Sequence, residues 1–275
     1  MLKTRVITAL VLLAVFLPVV WFAPLIWLGA LIALVVTLAA WEWWRLLFPN
    51  NHKRAFSYAG LCLLSLSTLF MYASMDVIKF LLLTTVLFWV LVVPYLMRKS
   101  LTLNMIRWRW PLAIVGLFIF PACWFALMHL RAGGLNLLIS VLVLVWAADI
   151  GAYFAGKALG HRKLAPQLSP GKSIEGAIGG WLLVIIVALI STLAIDELTI
   201  FSLWLRNYGW LGLLLITSTC VAMSIEGDLF ESQMKRIAGV KDSSNLLPGH
   251  GGILDRIDAL LPVLPVAALM ATLFA

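Results

Sequence analysis

Apolar residues run along this chain in long blocks separated by short polar breaks. They show neither the alternation of half-buried strands nor the one-sided stripe of a helix lying on a soluble core. A helix needs about 17–25 apolar residues to cross hydrocarbon, and nine blocks meet that length, at approximately 6–23, 25–43, 57–75, 77–97, 111–130, 135–156, 174–195, 207–225 and 253–275. In lipid every backbone N–H and C=O must be satisfied internally, and these blocks far exceed the roughly ten alternating residues of a barrel strand. The pattern predicts an all-α integral membrane protein, a polytopic bundle of about nine transmembrane helices. Leu198 to Leu205 is too short to span and is expected at the interface.

Composition agrees: 63% of the 275 residues are apolar and 12% charged, against roughly 45–50% and 25% in soluble domains. Cys62, Cys123 and Cys220 each sit inside an apolar run with no partner at ligand spacing, so they read as small core or lipid-facing residues. Lys3 and Arg5 precede the first block as in a secretory signal. A cut after Ala23 would leave Trp21 at −3 with Pro24 just beyond, which favours an uncleaved anchor. With no repeat or low-complexity tract, the chain reads as a single membrane domain over 1–275. Motif-free helices fill 1–134, and the chemistry lies in 135–275.

The net charge is +8. Assigned to alternate sides of nine spans, 17 of the 20 Lys and Arg residues share one side, and only Lys79, Arg131 and Arg206 lie opposite. The positive-inside rule then places the N-terminus in the cytoplasm and the C-terminus outside, and it accounts for the basic balance without nucleic acid. Trp41, Trp43, Trp44, Trp108 and Trp110 lie near predicted cytoplasmic ends and are expected as interfacial anchors.

The acids are less evenly spread. Eight of the 12, Asp149, Glu175, Glu226, Asp228, Glu231, Asp242, Asp255 and Asp258, lie in or beside the sixth and eighth loops. Charges at the edge of hydrocarbon need partners or a polar cavity. On a helix Asp228 and Glu231 are three apart and Glu231 and Lys235 four apart, so they share a face, and Asp255 and Asp258 repeat the three-residue spacing. Taken singly, such a pair is more often a solvated helix face. A hard divalent cation relieves the repulsion of paired carboxylates, with Mg²⁺ the natural candidate. Pro248-Gly249-His250-Gly251-Gly252 reads as a turn whose backbone N–H groups are free to approach a phosphate, ahead of a helix N-terminus. His250, taken alone, reads as a loop residue.

The run from Ser232 to Asp258 resembles the signature of the phosphatidate cytidylyltransferases, the CDP-diacylglycerol synthases, of bacterial type. That signature is Ser, two residues, Lys-Arg, four residues, Lys-Asp, then Pro-x-His-Gly-Gly-x-x-Asp-Arg-x-Asp. Ser232, Lys235, Arg236, Lys241, Asp242, Pro248, His250, Gly251, Gly252, Asp255, Arg256 and Asp258 fill it without a gap. Asp149-Ile150-Gly151-Ala152-Tyr153-Phe154 and Ser169-Pro170-Gly171-Lys172-Ser173-Ile174-Glu175-Gly176 extend it. Ser173 stands where the family commonly has Thr and keeps the hydroxyl, whereas Ile150 replaces a frequent hydroxyl residue. The first five spans resemble the family only in hydropathy.

The resemblance implies transfer of CMP from CTP to phosphatidate, giving CDP-diacylglycerol and pyrophosphate at the inner face of a bacterial cytoplasmic membrane. It implies Mg²⁺ held by Asp228 and Asp255, with Asp258 and Asp242 as water-mediated partners and a second divalent or monovalent ion as a further expectation. Lys235, Arg236, Lys241 and Arg256 would hold triphosphate or lipid phosphate, with His250 beside them. Ser169, Lys172 and Ser173 would close the other side, and Asp149, Glu175, Ser232, Gly251 and Gly252 would complete the substrate site. CTP, phosphatidate of the inner leaflet and membrane lipids are the implied partners, with a homodimer also among them.

Three other readings are weighed. Gly171-Lys172-Ser173 mimics the end of a P-loop, but the pattern needs Gly where Pro166 stands and a strand where an apolar helix is predicted. The CDP-alcohol phosphotransferase pattern begins with Asp-Gly, a pair absent from this chain. An ion-coupled transporter would account for an intramembrane acid such as Asp149, but transporters tend to show paired halves with broken midplane helices, whereas these acids crowd one membrane face.

Overall fold

The computed structural model describes residues 2–49 and 51–272, with the side chains of residues 2–6, 9 and 52 outside the description. The side chains of Lys3 and Arg5 and the last three residues of the ninth expected span therefore lie outside it. The helices follow the apolar blocks: α1 (Leu2–Phe22), α2 (Leu25–Leu47), α3 (His52–Tyr72) and α4 (Met75–Leu87). A π-turn at Phe88–Val92 carries α4 into α5 (Val93–Arg98), and α6 (Met105–Gly133) and α7 (Leu135–Leu159) follow. A hairpin of β1 (Lys163–Ala165) and β2 (Ser169–Ser173) precedes α8 (Ile174–Ala194), α9 (Ile200–Ile237), the single turn α10 (Leu254–Ile257) and α11 (Leu260–Thr272).

Capping side chains sit at several of the polar breaks. Ser74 accepts from the Val77 N–H, Asn104 from Arg107 and Ser173 from Gly176, while Thr199 and Ser202 form a reciprocal capping box. Each satisfies a backbone donor that a helix end would otherwise leave bare. Helix α6 is the central post, packed by α2, α3, α4, α7 and α11. Polar side chains tie neighbours to it: Trp43 Nε1 donates to the Leu112 carbonyl at 3.1 Å and Tyr58 Oη to that of Ala113 at 2.7 Å.

Helices α7 and α8 approach through glycines. A Cβ at Gly180 would lie 2.5 Å from the Ala148 carbonyl oxygen, and one at Gly151 2.7 Å from that of Gly179. Lipid gives helices no hydrophobic reason to associate, so close backbone contact supplies the attraction. This packing holds Asp149 of α7 beside the start of α8 and the end of β2.

Among the described residues, seven helical segments are long and apolar enough to cross a membrane, Leu25–Leu47, Lys53–Tyr72, Met75–Arg98, Met105–Gly133, Leu135–Leu159, Ile174–Ala194 and Ile200–Ile237, with Leu10–Phe22 and Leu260–Thr272 as shorter apolar helices. The polytopic helical bundle stands, with three corrections to the sequence reading. The helix of the eighth span does not stop near residue 225: α9 runs on to Ile237 and carries the acidic motif as helix rather than loop, because Glu, Gln, Lys and Met are strong helix formers whatever their polarity. The stretch from Leu198 is a short helical segment with Ile200, Phe201 and Trp204 buried, and a break at Gly209 (φ 67°) turns the chain into the long helix. The ninth span is broken at Asp258 into α10 and the 13-residue α11. Trp43 and Trp44 are buried packing residues rather than interfacial anchors.

All three cysteines are free and buried, as expected.

Gly180→Leu is expected to force α7 from α8 and cost about 1–3 kcal/mol, read as a lowered melting temperature in detergent. Gly60→Ala, where nothing lies within 4 Å of the added methyl, should leave melting unchanged or slightly raised.

Candidate active site

The last turns of α9 present Asp228, Glu231, Ser232 and Lys235 toward α10 and the hairpin. Lys172 of β2 places its Nζ 2.6 Å from Asp228 Oδ2, and Ser232 Oγ donates to Asp228 Oδ1 at 3.3 Å. One turn further on, Lys235 Nζ lies between two acids, 2.6 Å from Glu231 Oε2 and 2.5 Å from Asp255 Oδ1. The other Asp255 oxygen, Oδ2, accepts from Ser243 N (2.9 Å), Ser243 Oγ (2.8 Å) and Gly252 N (2.8 Å). Side-chain exposure falls from 36% at Asp228 and 27% at Lys172 to 12% at Lys235, 6% at Asp255 and 3% at Glu231. The array therefore runs from a wet mouth to a dry floor, where charge–charge interactions are strongest. Beneath the floor Phe230 packs against Trp43, Phe88 and Trp89, with ring centroids 5.8–6.4 Å apart.

The two acids of the α10 turn differ. Burial works against the charged form of Asp255. Hydrogen bonds from Lys235, the Gly252 N–H and Ser243, together with the Lys235 charge, outweigh that and hold its carboxyl below the usual range. Asp258 is pushed up to about 7, first by burial and then by the Asp228 carboxylate. Like charges crowded in a dry site disfavour one another's ionisation. Four carboxyl groups, those of Asp228, Glu231, Asp255 and Asp258, thus face two ammonium groups, Lys172 and Lys235.

That imbalance favours a cation. Glu231 Oε1 is buried without a hydrogen-bond partner among the described residues, and the free oxygens are all carboxylate, the donor set a hard divalent ion takes. No three acidic, His or Cys side chains form a ready-made cage among the described residues. Mg²⁺ characteristically takes one or two protein carboxylates and completes its octahedron with water and substrate phosphate, so the residues present fit Mg²⁺.

A cavity of about 270 Å³ opens beside this array, lined by Asp149, Tyr153, Gly171, Lys172, Ser173 and Asp228. A larger one of about 690 Å³ shares Leu164 and Ile225 with it and has Arg98, Gln167 and Glu226 in its walls. The structure thus brings together Asp149, Lys172, Ser173, Asp228, Ser232, Lys235 and Asp255, and it places Asp258 close enough to Asp228 to feel its charge.

Other expected site residues are placed differently. Two of the turn's backbone donors are taken, His250 N–H by the Leu247 carbonyl and Gly252 N–H by Asp255, and the N–H groups of Ile253 and Leu254 just beyond it go to Glu42. Helix α10 is only four residues long and offers no helix-end anion site. Glu175 pairs with Arg162 at 2.9 Å and accepts from the N–H groups of His161 and Arg162, pinning the hairpin to α8. The Ser173 hydroxyl is engaged as the α8 cap. Arg236, Lys241, Asp242 and Arg256 are exposed, Arg256 donating to the His250 carbonyl at 2.6 Å. Ser169 is half-buried in β2, and His250 Nδ1 is buried without a partner. Gly251 takes φ 83°, and a Cβ there would lie 2.8 Å from Asp255 Oδ2.

Two residues escaped the sequence reading. Glu42, fully buried on α2, reaches Ser243, Ser244, Ile253 and Leu254, so the helices of 1–134 are not without a part in the site. The signal was present, as a lone acid in Trp41-Glu42-Trp43-Trp44 within an apolar block. Ser243 carried no signal, since a serine in a polar loop is unremarked.

The family model described as the cytidylyltransferase family matches residues 3–274. A Pseudomonas aeruginosa protein named phosphatidate cytidylyltransferase is 41% identical over 270 residues, covering 98% of this chain and 96% of that one. A Brucella suis protein of the same name is 32% identical over 283 residues, 100% and 94% of the two chains. The Haemophilus influenzae protein of that name is 51% identical over 138 residues, 48% of this chain and 44% of its own.

Lys235→Met should leave Glu231 and Asp255 as uncompensated buried charges and cost about 3–5 kcal/mol, read as a drop in melting temperature in detergent. Adding Glu231→Gln should recover a large part of the loss.

Proposed function

This chain belongs to the cytidylyltransferase family, and on that premise we propose that it transfers CMP from CTP to phosphatidate, making CDP-diacylglycerol and pyrophosphate. The observation that carries the reading is the lysine-bridged acid array, Lys172 on Asp228 and Lys235 between Glu231 and Asp255, built from the signature residues themselves. A phosphate oxygen of phosphatidate attacks the α-phosphorus of CTP. The new P–O bond forms as the bond from that phosphorus to the α,β-bridging oxygen breaks, and pyrophosphate leaves with the electron pair. Such a transfer asks the protein for alignment and charge neutralisation rather than covalent chemistry.

Asp228 and Asp255 would hold Mg²⁺, with Glu231 Oε1 alongside. The bound ion would neutralise phosphate charge and draw the two anionic reactants together. Lys172 and Lys235 keep the acids from repelling one another in the empty site and present ammonium groups to incoming phosphates. Asp149, Ser173 and Ser232 line the mouth. Arg236, Lys241 and Arg256, exposed around it, attract the triphosphate and the lipid headgroup before either docks.

The lipid would arrive from the bilayer. A groove of about 310 Å³ between α1, α2, α6, α7, α10 and α11 is lined by apolar side chains, among them Leu31, Ile32, Val35 and Trp146, with Arg256 as its one charged residue among those described. Its chemistry suits an acyl chain whose phosphate lies toward Arg256. The 17-to-3 split of basic residues supports a cytoplasmic face for the site in the bacterial inner membrane.

Purified protein in detergent, given CTP with and without phosphatidate and Mg²⁺, should release pyrophosphate and form a liponucleotide only with all three. Asp255→Asn should reduce that turnover by about 10²–10³-fold, the scale of removing one preorganised charge-stabilising group, with melting kept. Retained turnover would remove Asp255 from the cation. Val35→Trp, filling the groove, should raise KM for phosphatidate about tenfold, as 1–3 kcal/mol of steric conflict implies, and leave KM for CTP unchanged. Leu34→Trp, on the exposed side of the same helix, should change neither.

A further inference from the structure

We propose that Glu42 is a positioning residue for this reaction: acting through Ser243, it fixes the orientation of the Asp255 carboxylate. The inference rests on the reading of Asp255 as a cation ligand and adds a residue from a helix that carries none of the signature.

Glu42 has no solvent exposure and belongs to none of the ion pairs among the described residues. An acid in an apolar helix is kept only where something needs it, and this one is satisfied entirely by the signature loop. Its Oε2 accepts from Leu254 N at 2.6 Å and Ser243 Oγ at 3.1 Å. Its Oε1 accepts from Ile253 N at 3.0 Å and from the Ser244 hydroxyl. The four donors come from both ends of the segment 243–254, so one side chain of α2 clamps that loop shut.

Ser243 links the clamp to the chemistry. Its hydroxyl lies 3.1 Å from Glu42 Oε2 and 2.8 Å from Asp255 Oδ2, and its N–H also reaches Asp255 Oδ2. A hydroxyl has one proton, so the two carboxylates share it. With Gly252 N–H on the same oxygen, Asp255 Oδ2 is held by the loop. Only Oδ1 is left to face Lys235 and the site. Gly252 is demanded by this arrangement, because a Cβ there would collide with both the Ser243 hydroxyl and the Glu42 carboxylate. The clamp does for Asp255 what outer hydrogen bonds do for metal ligands generally, where their loss weakens metal binding about 10–100-fold.

The test compares wild type, Glu42→Gln, Glu42→Asp and Ser243→Ala in detergent. Three readouts are used: Mn²⁺ binding by electron paramagnetic resonance without substrates, amide hydrogen exchange across 243–256, and kcat and KM. Glu42→Gln should speed exchange at Ile253 and Leu254, weaken Mn²⁺ binding about tenfold and lower kcat with little change in KM for phosphatidate. Glu42→Asp should restore part of each. Ser243→Ala should weaken Mn²⁺ binding by a similar factor while Ile253 and Leu254 stay protected, which separates aiming Asp255 from closing the loop. Wild-type Mn²⁺ affinity in Ser243→Ala overturns the proposal, and that variant decides the matter even if Glu42→Gln does not fold. If wild type binds no Mn²⁺ and makes no liponucleotide, the reading of Asp255 fails instead, whatever the exchange data show of Glu42.

Discussion

Carboxylates held at the edge of hydrocarbon repel one another and lack the water that would screen them, and much of this structure answers that constraint. Glu231 and Asp255 are nearly dry, and the Lys235 ammonium between them makes their proximity tolerable. Asp228, at the wetter end, is met by Lys172 from the hairpin. Four acids against two lysines still leave two carboxyl groups without a counter-charge of their own. Asp258, pushed toward neutrality, and the unpaired Glu231 oxygen are where the excess shows. A site that satisfied itself completely would leave nothing for the proposed cation to neutralise.

The scaffold follows from placing that array. Helix α9 must run past its apolar stretch to Ile237 so that Asp228, Glu231 and Lys235 stand on one face above Phe230 and the Trp43 and Trp89 rings. Gly227 lets α10 come close, since a Cβ there would collide with the Asp258 carbonyl oxygen. The glycine contact between α7 and α8 brings Asp149 and the hairpin to the other side of the same cavity. Because Lys172 is held by a strand whose end caps α8, its ammonium group is aimed by backbone rather than left on a free loop.

Hydropathy made the bundle legible because each apolar block is long enough to decide its own structure. Limits fail where polarity and helix propensity disagree: Glu226–Arg236 looks like a loop by polarity and is helix by propensity. The signature made the charged cluster of α9 legible, since Asp228, Glu231 and Lys235 keep one helix face at that spacing. What remained hidden were contacts across great sequence separation. The glycine turn read as a phosphate cradle because its donors looked unclaimed, yet Asp255 claims that of Gly252, and Glu42, 211 and 212 residues away, claims the next two along the chain. Trp43 and Trp44 read as surface anchors because tryptophans near helix ends usually are, and here the Phe230 floor and the α3 and α6 contacts bury them.

The same long-range contacts change how the chain divides. By motif, the first half is a passive support. By hydrogen bonding, α2 reaches the loop that carries Asp255, and Thr8 of α1 donates to the Pro248 carbonyl of that loop at 2.8 Å. The loop is therefore held on one side by helices that also wall the apolar groove and on the other by the helix that carries the acids. The groove proposed for an acyl chain and the loop that leads to Asp255 thus share α1 and α2 as walls, so the motif-free half of the chain contributes to both sides of the proposed site.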